Sequence, residues 1–311
     1  MNRETARPLR SVVFAPGDDA DALAMTAASG ADAMVVDLEE PRTPYPESER
    51  ERGRSVARAF FDTRGPGELP LAFARVQPPA TGQTLKDLRA VAGPGLAGIL
   101  LPKIESPADV HAADALLACT EVDFGLERGQ LAIYPILETA QAIRLAYEIA
   151  IASRRVSHMG GALSRFGDIH QALGYRWTAA GEETLFLRSK VLVDAKAAGI
   201  RYPVSGMWGG ALDDLDGLRA FATGLRNLGY YGMMLGCAEH VALVHEVFTP
   251  TEGEIAYWRE LDGLAAEAER TGSGPITHGD RRQGEAHVVH IAHVGSARKN
   301  LAWARDLGVI A

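Results

Sequence analysis

The chain has 311 residues, 47% of them hydrophobic and no biased tract among them, enough to bury the core of one large domain or two small ones. Its formal net charge of −8 and the lack of a dense Lys/Arg run exclude the electrostatic footprint of a nucleic-acid or anionic-lipid binder. No apolar leader core and no run of roughly 20 apolar residues is present, so a cytoplasmic protein is expected, and the isolated Cys119 and Cys237 form no metal, redox or disulfide pattern.

Short apolar runs recur along the chain, each followed by a stretch with helical spacing. The spacing predicts strands at residues 9–16, 33–38, 71–76, 97–102, 131–137, 156–159, 201–207 and 230–236. It predicts helices at 21–29, 46–61, 107–117, 140–153, 182–198, 214–228 and 239–247. Such alternation suits a parallel sheet, and eight units in about 240 residues favour a closed (β/α)8 TIM barrel over an open doubly wound sheet. Neither GxGxxG after the first strand nor GxxxxGK[ST] occurs, which weighs against the Rossmann and phosphate-loop folds. The pattern changes after Phe248. Thr249-Pro-Thr-Glu reads as a helix start, a charged helix runs to about residue 270, residues 271–284 read as a loop, and a last helix covers about 291–307. The expected organisation is a barrel over residues 1–248 carrying the active site and a helical extension over 249–311 acting as a lid or inter-subunit arm.

In a TIM barrel the polar residues that follow the apolar runs converge on one mouth. They are Asp37, Glu39 and Glu40 after the second strand, Arg75 and Gln77 at the third, Lys103 and Glu105 at the fourth, Glu138 at the fifth and Asp168 after the sixth. Glu138 and Asp168 follow adjacent strands, and two carboxylates with positions left over suit Mg²⁺, which wants octahedral oxygen and keeps several waters. The same residues have plainer readings. Acidic strand ends also cap helices or pair with lysine, and Arg75 would neutralise Asp37 or Glu39 in any barrel mouth.

The segments Arg10-Ser-Val-Val-Phe-Ala-Pro-Gly, Gly30-Ala-Asp-Ala-Met-Val-Val-Asp-Leu-Glu-Glu, Leu101-Pro-Lys-Ile-Glu-Ser, Ile136-Leu-Glu-Thr-Ala, Asp213-Asp-Leu-Asp-Gly-Leu-Arg and Glu246-Val-Phe-Thr-Pro resemble, in order, the citrate lyase β-subunit branch of the HpcH/HpaI aldolase family. The resemblance implies a TIM barrel with a C-terminal helical extension, assembled as a homo-oligomer (trimer or hexamer). Such a protein cleaves or forms malyl-type thioesters through an enolate. It also implies Mg²⁺ at Glu138 and Asp168 and a substrate carboxylate on Arg75; Asp37 and Glu138 are placed with Arg75 among the substrate-binding residues.

This sequence departs from that pattern in ways that bear on substrate. Asp18-Asp19-Ala20-Asp21 stands where a basic residue is usual, and the lysine beyond the second strand is missing, leaving chiefly Arg42, Arg50 and Arg52 for a coenzyme A diphosphate. Gly236-Cys237-Ala238-Glu239-His240 replaces an Ile-His-Pro-x-Gln pattern, and Val289-His290 replaces Val-Asp, so His290 becomes the candidate acid–base group. The loop before Asp168 is longer than in malyl-CoA lyases. His287, His290 and His293 at spacing three spread over about 120° of a helix, too wide for one zinc site, and read as a polar helix entry. The expected function is a Mg²⁺-dependent carbon–carbon lyase on a small β-hydroxy dicarboxylate or its thioester. The rivals are a thioester hydrolase or CoA-independent 2-oxo acid aldolase on the same scaffold, and a metabolite-binding protein that has lost turnover.

Overall fold

The computed structural model describes residues 2–39, 46–161, 163–272, 276–279 and 287–311. Glu40 and Arg42 lie outside these residues. The chain divides into two compact units, Met1–Phe248 and Thr249–Ala311.

The first unit is a parallel eight-stranded barrel built from β1 (Ser11–Pro16), β2 (Ala33–Asp37), β3 (Leu71–Arg75), β4 (Leu96–Leu101), β5 (Ala132–Leu137), β6 (Gly160–Gly161), β7 (Ser205–Met207) and β8 (Met233–Leu235). Hydrogen-bonded neighbours run β6-β5-β4-β3-β2-β1-β8-β7. Between β6 and β7 the barrel is nearly closed, Val204 donating its backbone N–H to Met159 O at 3.3 Å. Gly160 makes that approach possible, since a Cβ there would lie 1.7 Å from Val204 O.

Alternate strand residues fill the barrel and face the surrounding helices. Val12, Val35, Phe73, Leu100, Tyr134 and Met234 form the inner cluster. Their chain neighbours Met34, Val36, Ala72, Ala74, Ile99, Leu101 and Ile133 pack against the helices. Both faces being buried is why the strands read as continuous apolar runs rather than as alternating ones.

Helices at Ala20–Ala27, Glu47–Phe61, Pro107–Asp123, Leu185–Ala197, Leu215–Leu228 and Val241–Phe248 match the periodic segments. The predicted helix over 140–153 is broken at Leu145 into Ala140–Arg144 and Ala146–Ile151. Helices at Thr84–Val91 and Asp168–Leu173 were not predicted. The sixth strand is displaced. Residues 156–159 make one isolated bridge, Val156 to Ile133, and the ladder forms later, at the glycine pair.

In the second unit Glu252–Thr271 starts with a capping box, Thr251 with Glu254, and Ile291–Asp306 follows an antiparallel pair, β9 (Ile276–His278) with β10 (His287–Val289). That pairing corrects the predicted loop at 271–284: the Gly-rich composition hid a strand whose partner lies nine or more residues away. No helix among the described residues is long and apolar enough to cross a membrane.

Candidate active site

Strand register assembles the mouth. Asp37 and Arg75 are the last residues of β2 and β3 and stand opposite each other in the ladder. Arg75 therefore donates Nε–H and Nη2–H to the two oxygens of Asp37 at 2.8 and 2.5 Å. Its Nη1 lies 3.1 Å from Glu39 Oε2, and the guanidinium sits 5.2 Å from the Phe14 ring centroid. Burial works against the charge on Arg75, but Asp37, Glu39 and Glu138 outweigh it and the pKa is raised. Two of its five N–H groups thus donate to Asp37, while Nη1 is held beside Glu39 as an ion pair.

Beyond β4 the chain turns sharply at Lys103, whose φ of +50° is unusual for a side-chain-bearing residue. The turn aims its backbone N–H at Glu138 Oε1, 2.9 Å away, and brings Nζ to 2.9 Å from Glu39 Oε1 and 3.8 Å from Asp168 Oδ2. Glu138 follows the end of β5. Burial pushes its carboxyl up to about 7; Glu39 and Asp168 add to the rise, and the Lys103 N–H and Arg75 oppose it. Asp168 opens a helix just past Gly167, where the first-turn N–H groups favour a carboxylate.

Glu138 and Asp168 line two adjoining spaces. The inner cavity, about 200 Å³, is walled by Phe14, Arg75, Ile136, Leu163, Ser164, Met207 and Met234. The outer groove, about 560 Å³, adds Lys103, Glu105, Thr139 and Gln171. Around them Asp37, Glu39, Glu138 and Asp168 face Arg75 and Lys103: four carboxylates against two cations, a formal −2 at full ionisation. That surplus, the hard oxygen donors and the open volume beside them fit a divalent cation such as Mg²⁺. Among the described residues no group of three or more His, Cys, Asp or Glu is arranged to hold a metal. Two carboxylates, with water or substrate completing the shell, are what the chain offers.

The other predicted residues have settled positions. Asp37 is buried and spent on Arg75 and on the Glu39 N–H (3.1 Å), and it is not among the residues walling the inner cavity. Gln77 is structural, its amide donating to Leu38 O and Glu39 O. His290 is the exposed N-cap of the last helix, its N–H donating to His293 Nδ1 at 3.2 Å, which makes a helix entry of that histidine pair. Arg52 pairs with Asp18 and Glu49, and next to it Arg54, not one of the predicted residues, pairs with Asp87, Glu47 and Glu51. Phe14, Ser164, Met207 and Met234 line the cavity without having been predicted. The available signal was their place on β1, β7 and β8 and beside Asp168.

A parallel eight-stranded barrel with its acidic residues gathered past the strand ends, over a walled cavity, is the architecture of a TIM-barrel enzyme. The chain belongs to the HpcH/HpaI aldolase/citrate lyase family, whose model matches residues 10–237, and is by that membership a carbon–carbon lyase. It is 33% identical to a citrate lyase subunit beta-like protein of Deinococcus radiodurans, over 86% of this chain and 90% of that one. It is 29% identical to an L-malyl-CoA/beta-methylmalyl-CoA lyase of Cereibacter sphaeroides, over 94% of this chain and 93% of the relative. Among solved structures, the citrate lyase beta subunit of M. tuberculosis complexed with oxaloacetate and magnesium superposes with a TM-score of 0.61 at 25% identity, covering 80% of this chain and all of that one.

Proposed function

We propose that this chain is a Mg²⁺-dependent lyase that cleaves or forms a small β-hydroxy dicarboxylate, or its CoA thioester, by retro-aldol or retro-Claisen chemistry. The observation that carries the reading is the carboxylate surplus at Glu138 and Asp168 beside a cavity that Arg75 lines. Glu138 and Asp168 would hold the metal. Once bound, a divalent cation supplies fixed positive charge that offsets the negative charge building on a carbonyl oxygen as the carbon–carbon bond breaks.

The chain's own residues do the rest. Arg75, immobilised by Asp37 and Glu39 and lining the cavity, presents N–H groups not given to Asp37 to a substrate carboxylate, so the orientation of the bond is set before reaction. Ile136, Leu163, Met207 and Met234 keep water from the reacting carbons. Lys103 holds Glu138 in place through its backbone and reaches Asp168 with its ammonium. His290 is assigned as the acid–base group, which requires residues 249–311 to act as a lid or an inter-subunit arm over a mouth of this kind. Imidazole suits the task because it exchanges protons near neutral pH. In this reading the chain works as a homo-oligomer, and exposed Phe186 and Val193 on one helix are apolar surface that a neighbouring copy would cover.

Calorimetric titration of Mg²⁺ with oxaloacetate, pyruvate and glyoxylate tests the site. Metal-dependent binding in wild type that vanishes in Glu138→Ala/Asp168→Ala is expected; binding that survives both changes returns these carboxylates to structural roles. Product analysis tests the reaction. Pyruvate, glyoxylate or acetyl-CoA means bond cleavage, whereas free thiol with an intact acid means hydrolysis and overturns the lyase reading.

A further inference from the structure

Between Ser164 and Gly167, which both line the inner cavity, Arg165 and Phe166 are exposed, Phe166 to 83%. The Arg165 guanidinium lies 4.9 Å from the Phe166 ring centroid and 5.0 Å from that of Trp177. Its Nη1 donates to Gly209 O at 3.4 Å, in the loop after β7. Trp177 in turn meets Trp208 edge-on at 5.6 Å. Gly209 lets the two loops approach, since a Cβ there would come within 2.7 Å of Trp177 Nε1 and 2.8 Å of Arg165 Cβ. The contacts fix the guanidinium between the loop that carries Ser164 and Gly167 and the loop after β7, one residue along the chain from a cavity-lining side chain and three from Asp168.

A fastener between two loops would explain the contacts but not the donors. Arg75, Arg54 and Arg155 are each matched by carboxylates. Among the described residues no carboxylate lies within ion-pair distance of Arg165, and its one hydrogen bond is long. Aromatic faces fix the plane of a guanidinium while leaving its N–H edge open, which suits bidentate recognition of an oxyanion. Beside a mouth with surplus negative charge, an arginine next to the cavity-lining residues and without a carboxylate partner is a specificity device for an anionic substrate end.

We propose that Arg165 binds the carboxylate at the end of the substrate remote from Arg75, so that this chain acts on a dicarboxylate with both acid groups free rather than on a thioester. The inference rests on the site reading above and sharpens it. It agrees with Arg52, one of the arginines offered for a coenzyme A diphosphate, being engaged by Asp18 and Glu49. Arg165 touches substrate in this proposal but takes no part in bond making.

Oxaloacetate and pyruvate separate the cases, because they share the 2-oxo acid head and differ in the distal carboxylate. Each is titrated with Mg²⁺ into wild type, Arg165→Gln, Arg165→Lys and Glu138→Ala, by calorimetry and by the fluorescence of Trp177 beside the guanidinium. Arg165→Gln is expected to weaken oxaloacetate roughly ten- to hundredfold and to leave pyruvate and Mg²⁺ affinity unchanged. Arg165→Lys should fall between, keeping the charge without the fork. Equal weakening of both acids, or no weakening of either, overturns the assignment even if Glu138→Ala abolishes binding, in which case the metal site stands without it. If wild type binds neither acid, the site reading falls and this inference with it. Matching thermal midpoints for wild type and the Arg165 variants confirm that an effect is local.

Discussion

The two ends of the barrel both bury ions, and they balance them in opposite ways. At the amino-terminal ends of the strands Arg155 donates to both oxygens of Glu121, to Asp114 and to Leu131 O, while Glu121 also accepts the N–H groups of Gly129 and Leu131. Arg10 and Asp32, just before β1 and β2, form a similar two-pronged pair. At the carboxyl-terminal ends carboxylates outnumber cations, and Glu138 is driven toward its neutral form. Matched ions hold structure; unmatched ones hold a place for something that is not protein. The floor even assembles Ser11, His245 and Asp32, the residue types of a hydrolytic triad. There, however, the hydroxyl (2.8 Å) and the carboxylate (3.7 Å) share one imidazole nitrogen, and Ser11 is fully buried. Among the described residues no carboxylate meets its second nitrogen, so the trio is packing.

The comparison breaks most visibly at the floor. Arg155→Ala leaves Glu121 buried and charged without its counter-ion, and is expected to cost about 3–5 kcal/mol in denaturant unfolding while leaving oxo acid affinity unaltered in whatever fraction folds. Glu138→Gln is expected to do the reverse, lowering turnover about 10²- to 10³-fold in steady-state assays with little loss of stability.

The pH responses of the two ends run in opposite directions. Burial raises the Glu121 carboxyl, but Arg155 and two N–H groups outweigh it and its pKa is lowered. Its stabilisation is present above the unfolded value of 4.5 and is lost as pH falls through the folded one. Glu138 is raised to about 7, so what its proton adds is present below 4.5 and lost as pH rises through about 7. Mg²⁺ must displace that proton, so calorimetry is expected to show affinity falling about tenfold per pH unit below neutrality, with proton release on binding. A further contribution comes from His158, fully buried between Ser157 and Arg7 O, whose pKa burial lowers to about 4. Its stabilisation is present above 6.5 and is lost as pH falls toward 4, so His158→Gln should flatten that stretch of a thermal-midpoint profile. The smallest effect expected is a slight rise in metal-free stability at pH 8 for Glu138→Gln, since the neutral amide needs no counter-charge there.

Much of this was legible in one dimension, for a physical reason. Strands buried on both faces must be apolar throughout, and the helices between them must show a period near 3.6, so the alternation of β1 to β5 with their helices could be read from residue type alone. The mouth followed, because a parallel barrel sends the residue after each apolar run to the same end; Arg75, Glu138 and Asp168 were found that way. Where the backbone carries the information instead, the reading failed. The sixth strand forms at Gly160–Gly161 because only glycine permits contact with Val204, and nothing in the apolar run at 156–159 announces it. β9 and β10 each need the other to exist.

The order of residue types determined the barrel, the end that carries the site and the carboxylates at it. Tertiary structure decided which charges cancel. Asp37 is consumed by Arg75 through cross-strand register, Lys103 reaches Glu39 and Asp168 by a left-handed turn, and Arg165 is held between the rings of Phe166 and Trp177. Electrostatic pairing depends on distances of a few ångströms between residues tens of positions apart, and that spacing exists only once the sheet has closed.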